Sequence, residues 1–122
     1  MNIPRLDKNE QKQVARETTD RFKEIMLLSQ KANSFVYEGT TDMVKPDADY
    51  AQALTTLDDA MAQIRAIGKA AALTSKTAEK QTFKWFEKMM LQKVILETLS
   101  KGENPTPDQV KPLAKERAAK EW

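Results

Sequence analysis

Positions fit to form one helix face recur early in the chain at Val14, Thr18, Phe22, Ile25, Leu28, Ala32 and Phe35, at spacings of four, four, three, three, four and three. Such spacing keeps a single stripe on a helix of 3.6 residues per turn. Asp7-Lys8-Asn9-Glu10 opens it as a capping box, with the Asp7 carboxylate accepting backbone N–H groups and Glu10 reaching back. The stripe ends at Val36-Tyr37-Glu38-Gly39, where Gly39 suits a left-handed C-terminal cap. After Pro46 the pattern restarts at Tyr50, Leu54, Leu57, Met61, Ile64, Gly68 and Ala71, alternately four and three apart. A seam this regular packs on a neighbour at a shallow angle, and the small residues from Gly68 to Ala72 admit the close approach of another backbone.

Thr74-Ser75 supplies the next N-cap, and a third helix is predicted from about Lys76 to Lys101, stopped by Gly102. Its apolar residues, among them Phe83, Trp85, Phe86, Met89, Met90, Val94 and Ile95, cover nearly the whole circumference of its later half. A helix apolar all round is central in its bundle or covered by another subunit. Beyond Gly102-Glu103-Asn104-Pro105 a last helix starts at Thr106-Pro107-Asp108-Gln109, with proline at the first helical position. Pro112 is expected to kink it and leave a short segment toward Trp122, and the charged stretch Ala114 to Glu121 is expected to fray. The prediction is an all-α antiparallel bundle of three long helices plus a short C-terminal helix. It forms one domain over 1–122, with 102–122 a loosely docked segment.

The 122 residues are 40% hydrophobic and 31% charged, with formal net charge +2, which suits a charged helical domain and not a disordered chain. Cysteine and histidine are both absent. That removes disulfides, thiolate nucleophiles, zinc sites and histidine-based acid–base chemistry, so no catalytic residue, metal or cofactor is expected. No stretch has the length of a signal peptide's apolar core or of a membrane span, which points to a cytoplasmic protein of a cell or a host cell.

Charge is unevenly placed. From Lys76 to Gly102 six lysines stand against Glu79, Glu87 and Glu97, whereas residues 46–75 hold Asp47, Asp49, Asp58 and Asp59 against Arg65 and Lys69. Lys76, Lys80, Lys84 and Lys88, each four residues from the last, form one face of the third helix. With Phe83, Trp85 and Phe86 they could track phosphates and stack on bases; alternatively, their stems only cover the core while the aromatics point inward. Arg65 and Lys69 could together clamp a phosphate. The loop Glu38 to Asp42 lacks the spacing of a phosphate-binding loop, and Asp42 with Asp47 to Asp49 lacks that of a calcium loop.

The stretch Tyr50 to Leu73, with Leu57, Met61 and Arg65-Ala66-Ile67, is similar to helical hairpins of viral proteins that sequester signalling nucleotides, over about a fifth of the chain; it assigns no family. The first expectation is a non-enzymatic interaction protein that self-associates through Leu57, Met61, Ile64, Met89, Met90, Val94 and Ile95 and binds a further protein partner. The alternative is nucleic-acid or nucleotide binding through Arg65, Lys69, Lys76, Lys80, Lys84 and Lys88. No membrane is expected as a partner.

Overall fold

The computed structural model describes residues 7–39, 41, 43–73 and 75–122, without the side chains of Gln11, Val14, Ala15 and Thr18. Two positions of the first stripe, Val14 and Thr18, therefore lie outside the described side chains, as do the residues Thr40 and Asp42 of the first connector and Thr74 of the third cap. Among the described residues the fold has four α-helices: α1 (Lys8–Ser34), α2 (Tyr50–Ala72), α3 (Lys76–Ser100) and α4 (Pro107–Glu121).

Side chains fix three of the helix starts, each cap contributing about 1 kcal/mol. The Asp7 carboxylate accepts the Glu10 N–H at 2.9 Å, a bond that holds its pKa below the ordinary value. Asp49 accepts from Gln52 N–H at 3.0 Å and caps α2, which starts at Tyr50, where the pattern restarts. Ser75 Oγ accepts from Ala78 N–H at 3.0 Å. The end of α3 is a Schellman motif: Gly102 N–H bonds the Leu99 carbonyl at 2.9 Å, Glu103 N–H bonds that of Thr98 at 3.2 Å, and Gly102 has φ +77°.

The end of α1 differs from the expectation. The helix stops at Ser34, before Gly39, and the chain enters a hairpin-like connector with an isolated antiparallel bridge between Tyr37 and Val44. Glu38 N–H to the Met43 carbonyl (2.8 Å) and Lys45 N–H to the Val36 carbonyl (2.7 Å) close it, and Gly39, at φ +57°, is part of its turn. Lys45 Nζ donates to the Ser34 carbonyl at 2.8 Å, covering the helix end that Gly39 was expected to cap.

Phe22 packs edge-on to Trp85 with ring centroids 5.3 Å apart, and Ser29 Oγ donates to Gln92 at 2.9 Å. Both pairs share one sequence offset, so α1 and α3 run parallel and in register, while α2 packs on each of them and runs the other way. α3 also packs against α4 and is the central helix, which explains its apolar circumference without a second subunit. Ile25, Val36, Leu57, Ile64, Phe86, Met90 and Leu96 are fully buried, each contributing roughly 1.5–3 kcal/mol relative to exposure.

The C-terminal segment corrects the sequence expectation most. α4 continues through Pro112 to Glu121, with Val110, Ala114 and Ala118 buried against the bundle. The carbonyl deprived of its partner by Pro112 belongs to Asp108, an exposed residue whose backbone water can reach. Beyond the helix, the Trp122 indole meets Phe83 and Phe86 edge-on at 5.3 and 5.2 Å and lies flush on Gly68 of α2. At Gly68 the small residue of α2 thus admits an indole. A Cβ at residue 68 would fall inside the van der Waals envelope of Trp122 Cη2 and Cζ2.

Trp122→Ala is expected to cost roughly 2–4 kcal/mol, below the figure for a fully buried tryptophan because the indole is half-buried, and Gly68→Ala about 1–3 kcal/mol through overpacking. Urea unfolding followed by far-ultraviolet circular dichroism measures both, and midpoints unchanged from the parent would show that the indole does not sit where described.

Candidate functional site

Lysine pairs spaced i, i+4 lie on one face of a helix. Lys84 and Lys88 form such a pair on α3, Lys111 and Lys115 form another on α4, and the packing of α4 on α3 brings the two pairs to a common cleft of about 510 Å³. That volume falls within the roughly 300–1,000 Å³ typical of ligand pockets. Leu91, Pro112 and Ala114 supply an apolar floor, and Glu87 is the one carboxylate in the lining. The ion pairs among the described residues lie elsewhere: Lys93 with Asp58 (2.8 Å), Arg117 with Glu97 (2.9 Å) and Lys120 with Glu116 (3.2 Å). None of the four cleft lysines is in one of these pairs. Lys88 Nζ is 4.4 Å from the centroid of the Trp85 ring, a cation–π contact. Four exposed lysines against one glutamate border the cleft, whose walls are mostly apolar, and this excess of positive charge around its rim favours an anion.

A second cleft of about 400 Å³ lies on the other flank of α3, walled by Asn33 and Tyr37 at the end of α1 and by Gly39 and Thr41 of the connector. It shares Lys88 and Leu91 with the first and extends to Gln92 and Ile95. Gln92 Nε2 donates to Asn33 Oδ1 at 2.8 Å and to the Ser29 carbonyl at 3.1 Å, which fixes this wall to α1.

Of the six phosphate candidates, Lys84 and Lys88 enter the first cleft. Lys76 and Lys80 continue the exposed stripe beyond it, and Arg65 and Lys69 are exposed on α2 and line neither cleft. The three aromatics do not form a stacking platform: Phe86 is buried, Phe83 is half-buried against Trp122, and Trp85, 37% exposed, is T-stacked with Phe22 and has Lys88 over its ring.

The candidates for self-association fall into the chain's own core. Leu57, Met61, Ile64, Met89, Met90 and Val94 are at most 4% exposed, packed by α1, α2, α3 and α4 of the same chain, which leaves no apolar area there for a second copy. Only Ile95 keeps accessible surface, in the second cleft. Lys111 and Lys115 were not singled out from the sequence, although their i, i+4 spacing was visible there, because Pro112 between them was expected to interrupt the helix.

Among the described residues no helix is long and apolar enough to cross a membrane, and no group of three or more acidic side chains is arranged to hold a metal ion. No family model, no curated protein and no solved structure matches the chain.

Because the cleft lysines have no protein carboxylate to satisfy, replacing Lys84 and Lys115 together by glutamine is expected to change stability by less than about 0.5 kcal/mol. Thermal and urea unfolding of the double variant measure this, and a loss above about 2 kcal/mol would show that the lysines hold the bundle together and are not kept for a ligand.

Proposed function

We propose that this protein is a non-catalytic binding module of the cytoplasm that receives an anionic macromolecular partner in the cleft between α3 and α4. The observation that supports this reading is the convergence of Lys84, Lys88, Lys111 and Lys115, unpaired by carboxylates, over the apolar floor of Leu91, Pro112 and Ala114. The cost of gathering like charges in one cleft is recovered when an anion occupies it. The absence of cysteine and histidine supports binding over chemistry and suits a reducing compartment. Recognition here is electrostatic at the rim and hydrophobic at the base, the usual anatomy of a protein-binding patch.

A phosphate reading is favoured by one separate observation, the exposure of Lys76 and Lys80 in line with Lys84 and Lys88. It predicts that Lys76 and Lys80 matter as much as Lys111 and Lys115.

Fluorescence-anisotropy titration with labelled polyglutamate separates the readings when repeated with a labelled single-stranded oligonucleotide at rising salt. The protein is expected to bind polyglutamate, and Lys88→Glu with Lys115→Glu to weaken that binding on the order of 10-fold at unchanged helicity. Equal binding by the variant would remove the cleft from consideration. Tighter oligonucleotide binding, steeply dependent on salt and on Lys76 and Lys80, would transfer the function to the phosphate reading.

A further inference from the structure

Leu91 and Lys88 belong to both clefts, so the two join along the outward side of α3 into one groove between α1 and α4. From Lys84 to Ile95 its floor extends about 16 Å at 1.5 Å per residue, the length of roughly three turns of a second helix. Leu91 and Ile95, four residues apart, form an apolar ridge along that floor, joined at the α4 side by Pro112 and Ala114. Lysine pairs of two helices flank one end, and the amide-rich wall of Asn33 and Gln92 flanks the other.

Resting on the anion-binding cleft proposed above, we propose that its occupant is an acidic amphipathic helix of a protein partner. The apolar stripe of that helix lies on Leu91, Ile95 and Pro112, and the carboxylates toward one end of it meet Lys84 and Lys88 of α3 and Lys111 and Lys115 of α4. Charge complementarity and groove length select this occupant over the others. A nucleobase needs a ring to stack on, and no aromatic side chain lines the lysine-rimmed cleft. An acyl chain with a single carboxylate would use one of the four ammonium groups and leave its tail half in water, since the groove is open along its solvent side. A helix presents apolar and charged groups at i, i+3, i+4 and i+7 and satisfies its own backbone, so it needs only the ridge and the rims that the groove offers.

The test uses the full chain and a synthetic peptide of about 14 residues, close to four turns, with leucines at i, i+3, i+4 and i+7 and glutamates beside them. A scrambled peptide of identical composition, the same peptide with lysine for glutamate, an oligonucleotide and inorganic triphosphate serve as comparison ligands. The acidic amphipathic peptide is expected to bind saturably and to gain helical circular dichroism. Lys84→Glu with Lys115→Glu, and separately Leu91→Ala, should each weaken it on the order of 10-fold, while the lysine version does not bind. Scrambled and patterned peptides binding alike, both sensitive to the lysines, would overturn the helix and leave the anion cleft standing. Triphosphate or oligonucleotide binding more tightly than the patterned peptide would overturn it in favour of phosphate. A doubling of mass in light scattering that Leu91→Ala abolishes, with no peptide bound, would assign the groove to a second copy. No binding by any anion that responds to the lysines would overturn the helix and the cleft reading together.

Discussion

The need to cover α3 shapes the whole molecule. Apolar side chains occupy most of the circumference in its later half, and water contact along such a surface costs about 25 cal/mol per Å². α2 covers one side, α4 another, and α1 reaches α3 through Phe22, Ser29 and Asn33. Three neighbours of unequal length do not close the ring. α4 has 15 residues against the 25 of α3, and the arc left between α4 and α1 is the groove that holds Leu91 and Ile95. Architecture and candidate site thus have one cause.

Most of the helices were legible from local chemistry, because caps and apolar stripes are properties of neighbouring residues. Asp7, Ser75 and Gly102 act as their positions imply. Errors arose where a residue's role depends on something distant. Gly39 suits the cap of a helix end, but that end lies at Ser34 and Lys45 covers it from the far arm of the connector. Trp122 and Gly68 are separated by the whole of α3 and α4, and no periodicity relates them.

The site was half legible for the same reason. A lysine series at i, i+4 identifies a face, and Lys84 and Lys88 were found on that basis; which other face it opposes is a tertiary fact. An apolar seam such as Leu57, Met61 and Ile64 likewise says that something covers it, and the answer here is the chain itself. Proline carried too much weight as a breaker. At Pro112 the freed carbonyl is near solvent, the helix tolerates the ring, and Lys111 and Lys115 remain on one surface.

The seat of Trp122 on Gly68 has a further consequence for the cleft. α4 provides one whole wall of it, yet its helical contacts on the bundle are the buried Val110 and two alanines and the Arg117–Glu97 ion pair to α3. The indole, past the end of the helix and away from the lysines, is the largest anchor holding that wall in place. Detachment of α4 would therefore be a local opening reaction of lower free energy than global unfolding, and the ligand proposed for the cleft, gripping both lysine pairs, would suppress it by mass action. If the cleft binds the partner proposed above, its occupancy and the burial of the indole on the neighbouring helix are thermodynamically linked, and a change at Gly68, outside the cleft lining, would alter the affinity at Lys111 and Lys115.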